Sequence, residues 1–314
     1  MGKWVRTLEI VKPKKLLVVG GSGFIGKAIV MRGVSMDLEV ESLGLTIPSE
    51  DQQVPNVNYL NADITDNKSL QAISKQKYHY VVNTGGYIDH ANFMDGGDHL
   101  INSHFNGVVN LVKSIDRSNL LSFINIGSSD EYSNAVAPHH ESIRENPISP
   151  YSAGKVASTH FLQMLHKTEQ FPSTTLRLFL CYGPGQDVKR FLPYLISQCV
   201  ANDEIKVSPG EQLRDYCYID DIVSAVFLAM SDKNADGKVY NIASGEPISI
   251  RSVVEKVVDI IGSGKPNFGA MPYRQGESME LYADISLVMN ELGWHPTTQL
   301  NEGLEQTISY YRNL

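Results

Sequence analysis

Short apolar runs alternate with segments of helical periodicity along most of the chain. Strand-like runs, apolar and rich in β-branched residues, lie at 14–19, 38–43, 57–63, 80–84, 122–129, 174–180 and 238–243. Helical spacing occurs between most of them, for example at 106–118 and 156–169. Strands that alternate with helices favour a parallel sheet with right-handed crossovers. The pattern therefore predicts an α/β fold, a Rossmann-type doubly wound parallel sheet.

The pattern changes beyond residue 185, where shorter segments are separated by Pro and Gly. Residues 249–262 have the apolar spacing of an amphipathic helix. We predict a dinucleotide-binding domain over 1–185, to which the chain returns near 215–245. Residues 186–314 are predicted to form mainly a smaller, discontinuous C-terminal α/β substrate domain.

A glycine-rich turn follows the first predicted strand and precedes a predicted helix. Glycine permits a positive φ and lets the backbone approach a pyrophosphate without an intervening Cβ. The N-terminus of the helix offers N–H groups and the positive end of its dipole to the phosphates. We expect a dinucleotide to bind at the backbone of Gly20, Gly23, Phe24, Ile25 and Gly26.

The end of the second predicted strand bears on the choice between NAD and NADP. An acid is expected there to bind the adenine ribose, but Gly44 or a neighbour takes that place, and Glu39 and Glu41 lie inside the strand. No cation follows Gly44 closely, and a 2′-phosphate without one would be costly to desolvate. We predict NAD, with NADP as the alternative. Asp63 and Ile64, at the end of the third strand, are expected to contact the adenine, while a helix cap is an equally good interpretation of Asp63.

Tyr151 and Lys155 lie four residues apart at the start of a predicted helix, on one face. A nearby ammonium and a cationic nicotinamide would lower the pKa of the phenol, so that it could act as a base, and Lys155 would also donate to the nicotinamide ribose. A surface pair is the alternative for this spacing alone. Ser128 and Ser129 lie at the end of the preceding strand, where a hydroxyl would orient a substrate oxygen or cap a turn.

Composition narrows the classes of binding partner and the cellular compartment. The formal net charge of -8 argues against a nucleic-acid-binding surface. The three cysteines, Cys181, Cys199 and Cys217, lack metal-ligand spacing and are expected to be reduced thiols, so no metal is predicted. The N-terminus lacks the features of a signal peptide, and no apolar run approaches the ~20 residues needed to span a bilayer. We expect a cytoplasmic protein with no membrane partner.

Further motifs extend along nearly the whole chain, among them HFNGVVNLV, SPYSAGK, LRLFLCYGPGQ, RDYCYIDDI and YRQGESMELYADIS. With the glycine turn, they resemble the extended short-chain dehydrogenases/reductases of the NAD-dependent epimerase/dehydratase type, which act on nucleotide-linked sugars. The resemblance implies that Ser129, Tyr151 and Lys155 form the hydride-transfer triad. It also implies a nucleotide-diphosphate sugar as substrate, with Ser128 and Glu131 lining its site. Relatives often dimerise through the helix that carries the catalytic Tyr, so a homodimer is expected.

Two arginines match positions at which family members contact the diphosphate of the substrate. These are Arg214 and Arg274, both in the predicted substrate domain. A guanidinium fork suits phosphate oxygens. An exposed Arg paired with Asp215 or Glu277 is the alternative.

Three features depart from the family pattern. Leu180 takes the place of an Asn that donates to the substrate or its phosphates, and His104 replaces an Asn three residues before a glycine. The segment 83–90 replaces the usual His-containing strand end. Its polar residues, Tyr87, Asp89 and His90, are expected either to line the sugar site or to be solvated.

The framework serves three reactions. A dehydrogenase or ketoreductase needs only Ser, Tyr and Lys, and a 4-epimerase uses the same groups but keeps its cofactor. A 4,6-dehydratase also needs an acid/base pair, and Asp130 and Glu131 resemble the Asp-Glu that follows the catalytic Thr of dTDP-glucose dehydratases. Because the segment is one residue shorter before Tyr132, it is more similar to the 4-ketoreductases. We predict oxidation or reduction at carbon 4 of a nucleotide-linked hexose or heptose, with 4,6-dehydration and 4-epimerisation as alternatives and a non-catalytic nucleotide sensor as a distant one.

Overall fold

A computed structural model describes residues 13–89, 91–274 and 276–313. Its main sheet has seven parallel strands in the order β10-β6-β5-β4-β1-β2-β3. Their bounds are β1 (Lys15–Val19), β2 (Glu39–Gly44), β3 (Val57–Asn61), β4 (Tyr80–Asn83), β5 (Ser122–Ser128), β6 (Ser173–Leu178) and β10 (Val239–Ile242). The strand order reverses between β1 and β4, and ligands of such sheets bind beyond the carboxyl ends of the strands at this point.

Helices cover both faces of the main sheet, which explains why its strands are apolar throughout. Those packed on or near it are α1 (Phe24–Ser35), α2 (Gln71–Ser74), α3 (Asp98–Ile101), α4 (Gly107–Ser114), α5 (Pro150–Glu169) and α7 (Ile219–Ser231). Successive residues of β1 enter opposite cores: Leu16 packs in the same core as Ile29 of α1, whereas Leu17 packs in the same core as Leu111 of α4.

A smaller region lies beyond the main sheet. It contains the strands β7 (Leu180–Tyr182), β9 (Leu213–Tyr218), β11 (Pro247–Ser249) and β13 (Glu280–Leu281), and the parallel pair β8 (Glu204–Val207) and β12 (Lys265–Phe268). The remaining helices are α6 (Phe191–Val200), α8 (Ile250–Ile261), α9 (Ser286–Leu292) and α10 (Leu300–Arg312). Helices α6, α8 and α10 pack on one another, and the apolar stripe predicted within 249–262 forms the buried face of α8.

The predicted α/β parallel sheet is confirmed, and the chain does return to it through α7 and β10. The predicted strand over 174–180 is in fact two strands, because β6 ends at Leu178 and β7 pairs with β9 of the small sheet. The domain boundary at residue 185 stays a prediction, although β7 joins the small sheet before it.

Within the part of the chain that the structure describes, no helix combines the length and apolarity required to cross a membrane.

Candidate active site

The glycine turn between β1 and α1 is too tight for side chains. Gly20 has a φ of +76°, and a Cβ on Gly26 would lie 2.1 Å from the carbonyl oxygen of Gly20. Helix α1 begins at Phe24, and its N-cap Gly23 offers no side chain to the first turn, which also holds no acid. The first N–H groups of the helix, including those of Phe24 and Ile25, therefore form a backbone cradle that suits an anionic pyrophosphate.

The end of β2 provides no carboxylate for the adenine ribose. Glu41 is buried, forms an ion pair with Lys15 (2.8 Å) and accepts a hydrogen bond from Tyr78. Gly44 has space around it, since a Cβ there would meet its nearest atom only at 3.5 Å. The structure therefore agrees with the sequence in this respect: no carboxylate stands at Gly44, where the acid-bearing pattern has one.

Asp63 and Ile64 lie just beyond the end of β3. One oxygen of Asp63 accepts from the backbone N–H and from the hydroxyl of Thr65, both at 2.8 Å, so Asp63 caps a turn rather than the helix that the sequence alternative named. Ile64 is buried, and its carbonyl oxygen accepts from Asn110 at 2.9 Å. The contact of these residues with an adenine stays a prediction.

Tyr151 and Lys155 lie in the first two turns of α5. Ser149 caps the helix by accepting from the N–H of Ser152, and Pro150 occupies its first position. Both functional side chains are buried, and the Lys155 ammonium lies 5.8 Å from the centroid of the Tyr151 ring. Its Nζ donates to the carbonyl oxygen of Ile126 in β5 at 2.7 Å, which ties the helix to the strand that carries the serines.

The structure brings Ser128, rather than Ser129, to the Tyr151 phenol. Ser128 ends β5, and its side chain is hydrogen bonded to Tyr151, which lowers the pKa of the phenol. Ser129 begins a short 3₁₀ turn, Ser129–Glu131, whose N-cap is Ser128. This hydrogen bond favours Ser128 over Ser129 as the third member of the triad, because the strand delivers its last side chain to the phenol. The make-up of the triad stays a prediction.

Burial is the main cause of the shifted pKa values of Tyr151 and Lys155. It raises the pKa of Tyr151, and the charges of Asp130 and Glu131 add to this effect, whereas Ser128 opposes it. Burial lowers the pKa of Lys155 to about 8, against the opposing influence of Glu131 and Asp130. The lowered phenol pKa expected from the sequence requires the cationic nicotinamide as well as the ammonium, so it stays a prediction for the NAD-bound enzyme.

Glu131 does not line the substrate site. Its side chain is fully buried, and Oε1 accepts from the N–H of Ser128 at 3.0 Å. Oε2 accepts from Thr159 at 2.9 Å and forms an ion pair with Arg177 at 2.9 Å. Because each oxygen already binds a protein donor, the sequence assignment of Glu131 to substrate binding is corrected to an internal anchor. Arg177 lies 46 positions away in sequence, so local spacing could not reveal this partner.

The structure also changes which residues could form the acid/base pair that a dehydratase needs beside its substrate. Since Ser128 faces Tyr151, the residues that follow the active hydroxyl are Ser129 and Asp130. Asp130 is half-buried, and its charge acts on both Tyr151 and Lys155. The two positions after the Ser128 hydroxyl therefore hold one carboxylate, that of Asp130, whereas the Asp-Glu pattern of the dehydratases places two there.

His104 packs directly on Tyr151. The two rings meet edge to face, with centroids 4.8 Å apart and planes at 88°. The His104 Nε2 lies 2.9 Å from the carbonyl oxygen of Tyr87, in the segment that follows β4. Tyr87 and Asp89 are themselves exposed, and Asp89 accepts from the N–H of Ala91 at 3.0 Å. His90 lies outside the described residues.

Arg214 and Arg274 lie near each other in the smaller region. Arg214, on β9, forms an ion pair with Glu277, a partner that the sequence alternative named, but it is buried and not exposed. Arg274 is exposed, and its charge contributes to a lowered pKa of Arg214, for which burial is the main cause. Asp215 instead accepts from the backbone of Ser244 at 2.6 Å and so has a structural role.

Sequence reasoning overlooked Arg190. It is exposed, precedes the first residue of α6, and its charge lowers the pKa of Tyr151, so it lies within electrostatic reach of the site. The signal was a cation shortly after the YGPGQ motif, at a position that the structure shows to be the N-cap of α6. Leu180, by contrast, packs against the main core as an apolar residue, consistent with the loss of a donor there.

Comparisons with known proteins agree with this geometry. The model of the NAD dependent epimerase/dehydratase family matches residues 16–243. A putative UDP-glucose 4-epimerase of Methanocaldococcus jannaschii is 25% identical over 95% of this chain and 98% of its own length. A dTDP-glucose 4,6-dehydratase of Haemophilus influenzae is 26% identical over 94% and 97%. A UDP-glucuronic acid 4-epimerase from Bacillus cereus, solved with UDP-glucuronic acid and NAD, is 25% identical with a TM-score of 0.83 over 95% and 99%.

The chain therefore belongs to the NAD-dependent epimerase/dehydratase family of extended short-chain dehydrogenases/reductases. It is an enzyme of the nucleotide-sugar class, and its cofactor is NAD. The glycine cradle and the buried Lys155 fit this cofactor: the first supplies backbone N–H groups for the pyrophosphate, and the second an ammonium beside the active tyrosine.

Proposed function

We propose that this enzyme transfers a hydride at carbon 4 of a nucleotide-diphosphate-linked hexose or heptose and does not eliminate water. The observation that carries the proposal is the convergence of Ser128, Tyr151 and Lys155 at the carboxyl edge of the main sheet. The same edge bears the glycine cradle after β1. These groups are sufficient for oxidation or reduction of an alcohol.

Each protein group has one task in the proposed reaction. When bound, NAD supplies a hydride acceptor and a cationic ring beside the tyrosine. The Tyr151 phenolate takes the proton of the C4 hydroxyl as that carbon becomes a ketone, and the phenol returns it in the reverse direction. Ser128 binds the same substrate oxygen, and Lys155 stabilises the phenolate and donates to the nicotinamide ribose.

The raised pKa of Tyr151 makes this base conditional on the cofactor. Burial keeps the phenol protonated in the protein alone. A cationic nicotinamide ring next to the phenol favours the phenolate through its charge. The base is thus expected to form only when NAD and the protonated Lys155 are both in place.

The absence of elimination follows from the register of the strand end. Removal of water across carbons 5 and 6 needs an acid/base pair facing the sugar. Glu131 is held by Arg177 and Thr159 inside the protein, which leaves Asp130 as the one acid of this turn that is not fully buried. We propose that this one carboxylate, without a second acid beside it, does not support elimination.

The substrate diphosphate is proposed to bind between the main sheet and the smaller region. Arg214, Arg274 and the overlooked Arg190 would supply the positive charge. The related Bacillus cereus structure contains UDP-glucuronic acid, which supports a nucleotide-diphosphate sugar here. A second candidate function is 4-epimerisation, which uses the same groups and is favoured by the full-length likeness to 4-epimerases.

A homodimer through α5 also stays a proposal. The apolar side chains of α5 suited to this interface are those of Val156, Phe161, Leu162 and Leu165. Leu162 and Leu165 are buried in the core. Val156 and Phe161 are half-buried, and these two would be available to a second copy.

The proposed function is tested by incubating the purified enzyme with UDP-, dTDP- and GDP-linked sugars and NAD, or with their 4-keto derivatives and NADH, and weighing the products. A gain or loss of two hydrogens, or a new isomer of equal mass, supports the proposal. Tyr151→Phe should abolish this turnover, while Tyr310→Phe, at an exposed position of α10, should not. Product formation by Tyr151→Phe at the normal rate, or products lighter by one water, would contradict it.

A further inference from the structure

A short segment between β7 and α6, residues 183–190, carries two cations into solvent. The chain turns at Gly185, which has a φ of +83°, and residues 187–190 are exposed. Lys189 and Arg190 are the last two residues of this cation segment. Because the charge of Arg190 acts on Tyr151, the cation segment lies at the border of the candidate active site.

Most hydrogen bonds of the cation segment join residues that are close in sequence. Oδ1 of Asp187 accepts from the N–H of Lys189 at 2.8 Å, and the Asp187 carbonyl oxygen accepts from the N–H of Arg190 at 2.9 Å. The side chain of Gln186 donates to the carbonyl oxygen of Cys181, in β7, at 2.9 Å. These bonds set the local shape of the segment and connect it only to the strand that precedes it.

Tyr311, near the end of α10, contacts the cation segment from a distant part of the chain. Its hydroxyl donates to the carbonyl oxygen of Gln186, from which it is separated by 125 positions in sequence. Burial raises the pKa of this hydroxyl to about 12, so it stays protonated and can donate at neutral pH. Among the hydrogen bonds of the described residues, this one alone joins residues 183–189 to an element that is remote in sequence.

Helix α10 is itself fixed by contacts that do not involve the cation segment. It packs so closely on the end of β7 that a Cβ on Gly303 would lie 2.2 Å from the hydroxyl oxygen of Tyr182. The Tyr218 hydroxyl donates to the side chain of Gln306 at 2.7 Å, and Arg312 donates to the carbonyl oxygen at the end of α8 at 2.7 Å. Tyr311 therefore presents its hydroxyl from a helix that is held along its length.

We propose that Tyr311 is a positioning residue whose hydroxyl anchors the cation segment at Gln186, so that Lys189 and Arg190 are in place for the diphosphate of the substrate before it binds. A segment that is ordered in advance loses less conformational entropy on binding, which strengthens the binding of the ligand. The contact of the two cations with a diphosphate rests on the proposed function, whereas the anchoring of the segment by Tyr311 does not.

The anchor can be tested without a substrate, by amide hydrogen exchange and mass spectrometry of the NAD-bound enzyme. Tyr311→Phe removes the hydroxyl and should speed exchange in peptides that cover residues 183–190. Tyr218→Phe is the matched control, because it also removes a hydroxyl bonded at α10 but leaves the cation segment untouched. Unchanged exchange of this segment in Tyr311→Phe, or equal acceleration in both variants, would overturn the proposal.

The consequence for binding is measured by calorimetry with UDP and dTDP as probes. Tyr311→Phe should weaken the diphosphate that the wild-type enzyme binds on the order of 10-fold, with NAD affinity unchanged. KM for an active nucleotide sugar should rise by a similar factor while kcat stays within about 2-fold, and Tyr218→Phe should change neither. Unchanged diphosphate affinity, or a lower kcat at constant KM, would contradict the positioning role.

The same measurements separate this inference from the proposed reaction. If the wild-type enzyme binds UDP or dTDP but turns over no nucleotide sugar, the proposed function fails, and the exchange and calorimetry results still decide the role of Tyr311. If it binds neither diphosphate, the positioning role is overturned together with the proposed diphosphate site.

Discussion

The side chain of Ser128 is hydrogen bonded to the phenol of Tyr151, across the gap between the end of β5 and the first turn of α5. This relationship sets the register of the whole strand end. It places Ser129 and Asp130 directly after the active hydroxyl and turns Glu131 inward to Arg177. The reaction proposed for the enzyme depends on this register.

Substitution of the two serines should separate their roles. Ser128→Ala removes the hydroxyl that binds the substrate oxygen and should lower kcat on the order of 100- to 1,000-fold. Ser129→Ala should change kcat only a few-fold, because the hydroxyl bonded to the phenol is that of Ser128. Steady-state kinetics on an active nucleotide sugar measure both. The opposite order of effects would restore Ser129 to the triad.

Glu131→Gln should destabilise the protein strongly. The change removes one of the two carboxylates that pair with buried Arg177, the other being Glu145. Because Glu145 remains, the cost should lie below the ~3–5 kcal/mol of a buried charge left with no partner, but above about 1 kcal/mol. Urea unfolding measures the loss. The matched control is Glu169→Gln, which breaks an exposed pair with Arg117 and should cost less than about 1 kcal/mol. Similar unfolding free energies for both variants would show that Glu131 is not an internal anchor.

The pH dependence should reflect Lys155. Burial lowers the pKa of its ammonium to about 8, so the cation that stabilises the Tyr151 phenolate is lost as the pH rises through that value. We expect kcat/KM to fall above about pH 8, since this ratio reports ionisations of the enzyme before it binds the sugar. A kcat/KM that stays level to pH 10 would mean that the lysine remains protonated or is not required.

Gly26→Ala should abolish NAD binding measured by calorimetry. Its methyl group would lie 2.1 Å from the Gly20 carbonyl oxygen, so the turn and the start of α1 must move apart. Gly44→Ala is the control, because its methyl group meets nothing closer than 3.5 Å, and NAD should still bind. Normal NAD affinity in Gly26→Ala would place the pyrophosphate elsewhere.

Local patterns in the sequence were sufficient to predict the fold and the placement of Tyr151 and Lys155, but not the contacts of the other site residues. The strands were predicted from continuous apolar runs, which arise because both faces of the sheet are covered. The spacing of Tyr151 and Lys155 placed these two residues on one helix face. The choice between Ser128 and Ser129 was not local, because it depends on where β5 ends relative to α5. The burial of Glu131 depends on Arg177 in another strand, and the environment of His104 depends on Gly86 and Gly154. Such contacts between distant segments exist only once the chain has folded.

The most direct test of the central claim is the reaction of the active nucleotide sugar and NAD in heavy water, followed by mass spectrometry and NMR of the product. Hydride transfer at carbon 4 without elimination predicts a product that has lost no water and carries no deuterium from the solvent on carbon 5 or 6. A product lighter by one water, with solvent deuterium on either of these carbons, would contradict it.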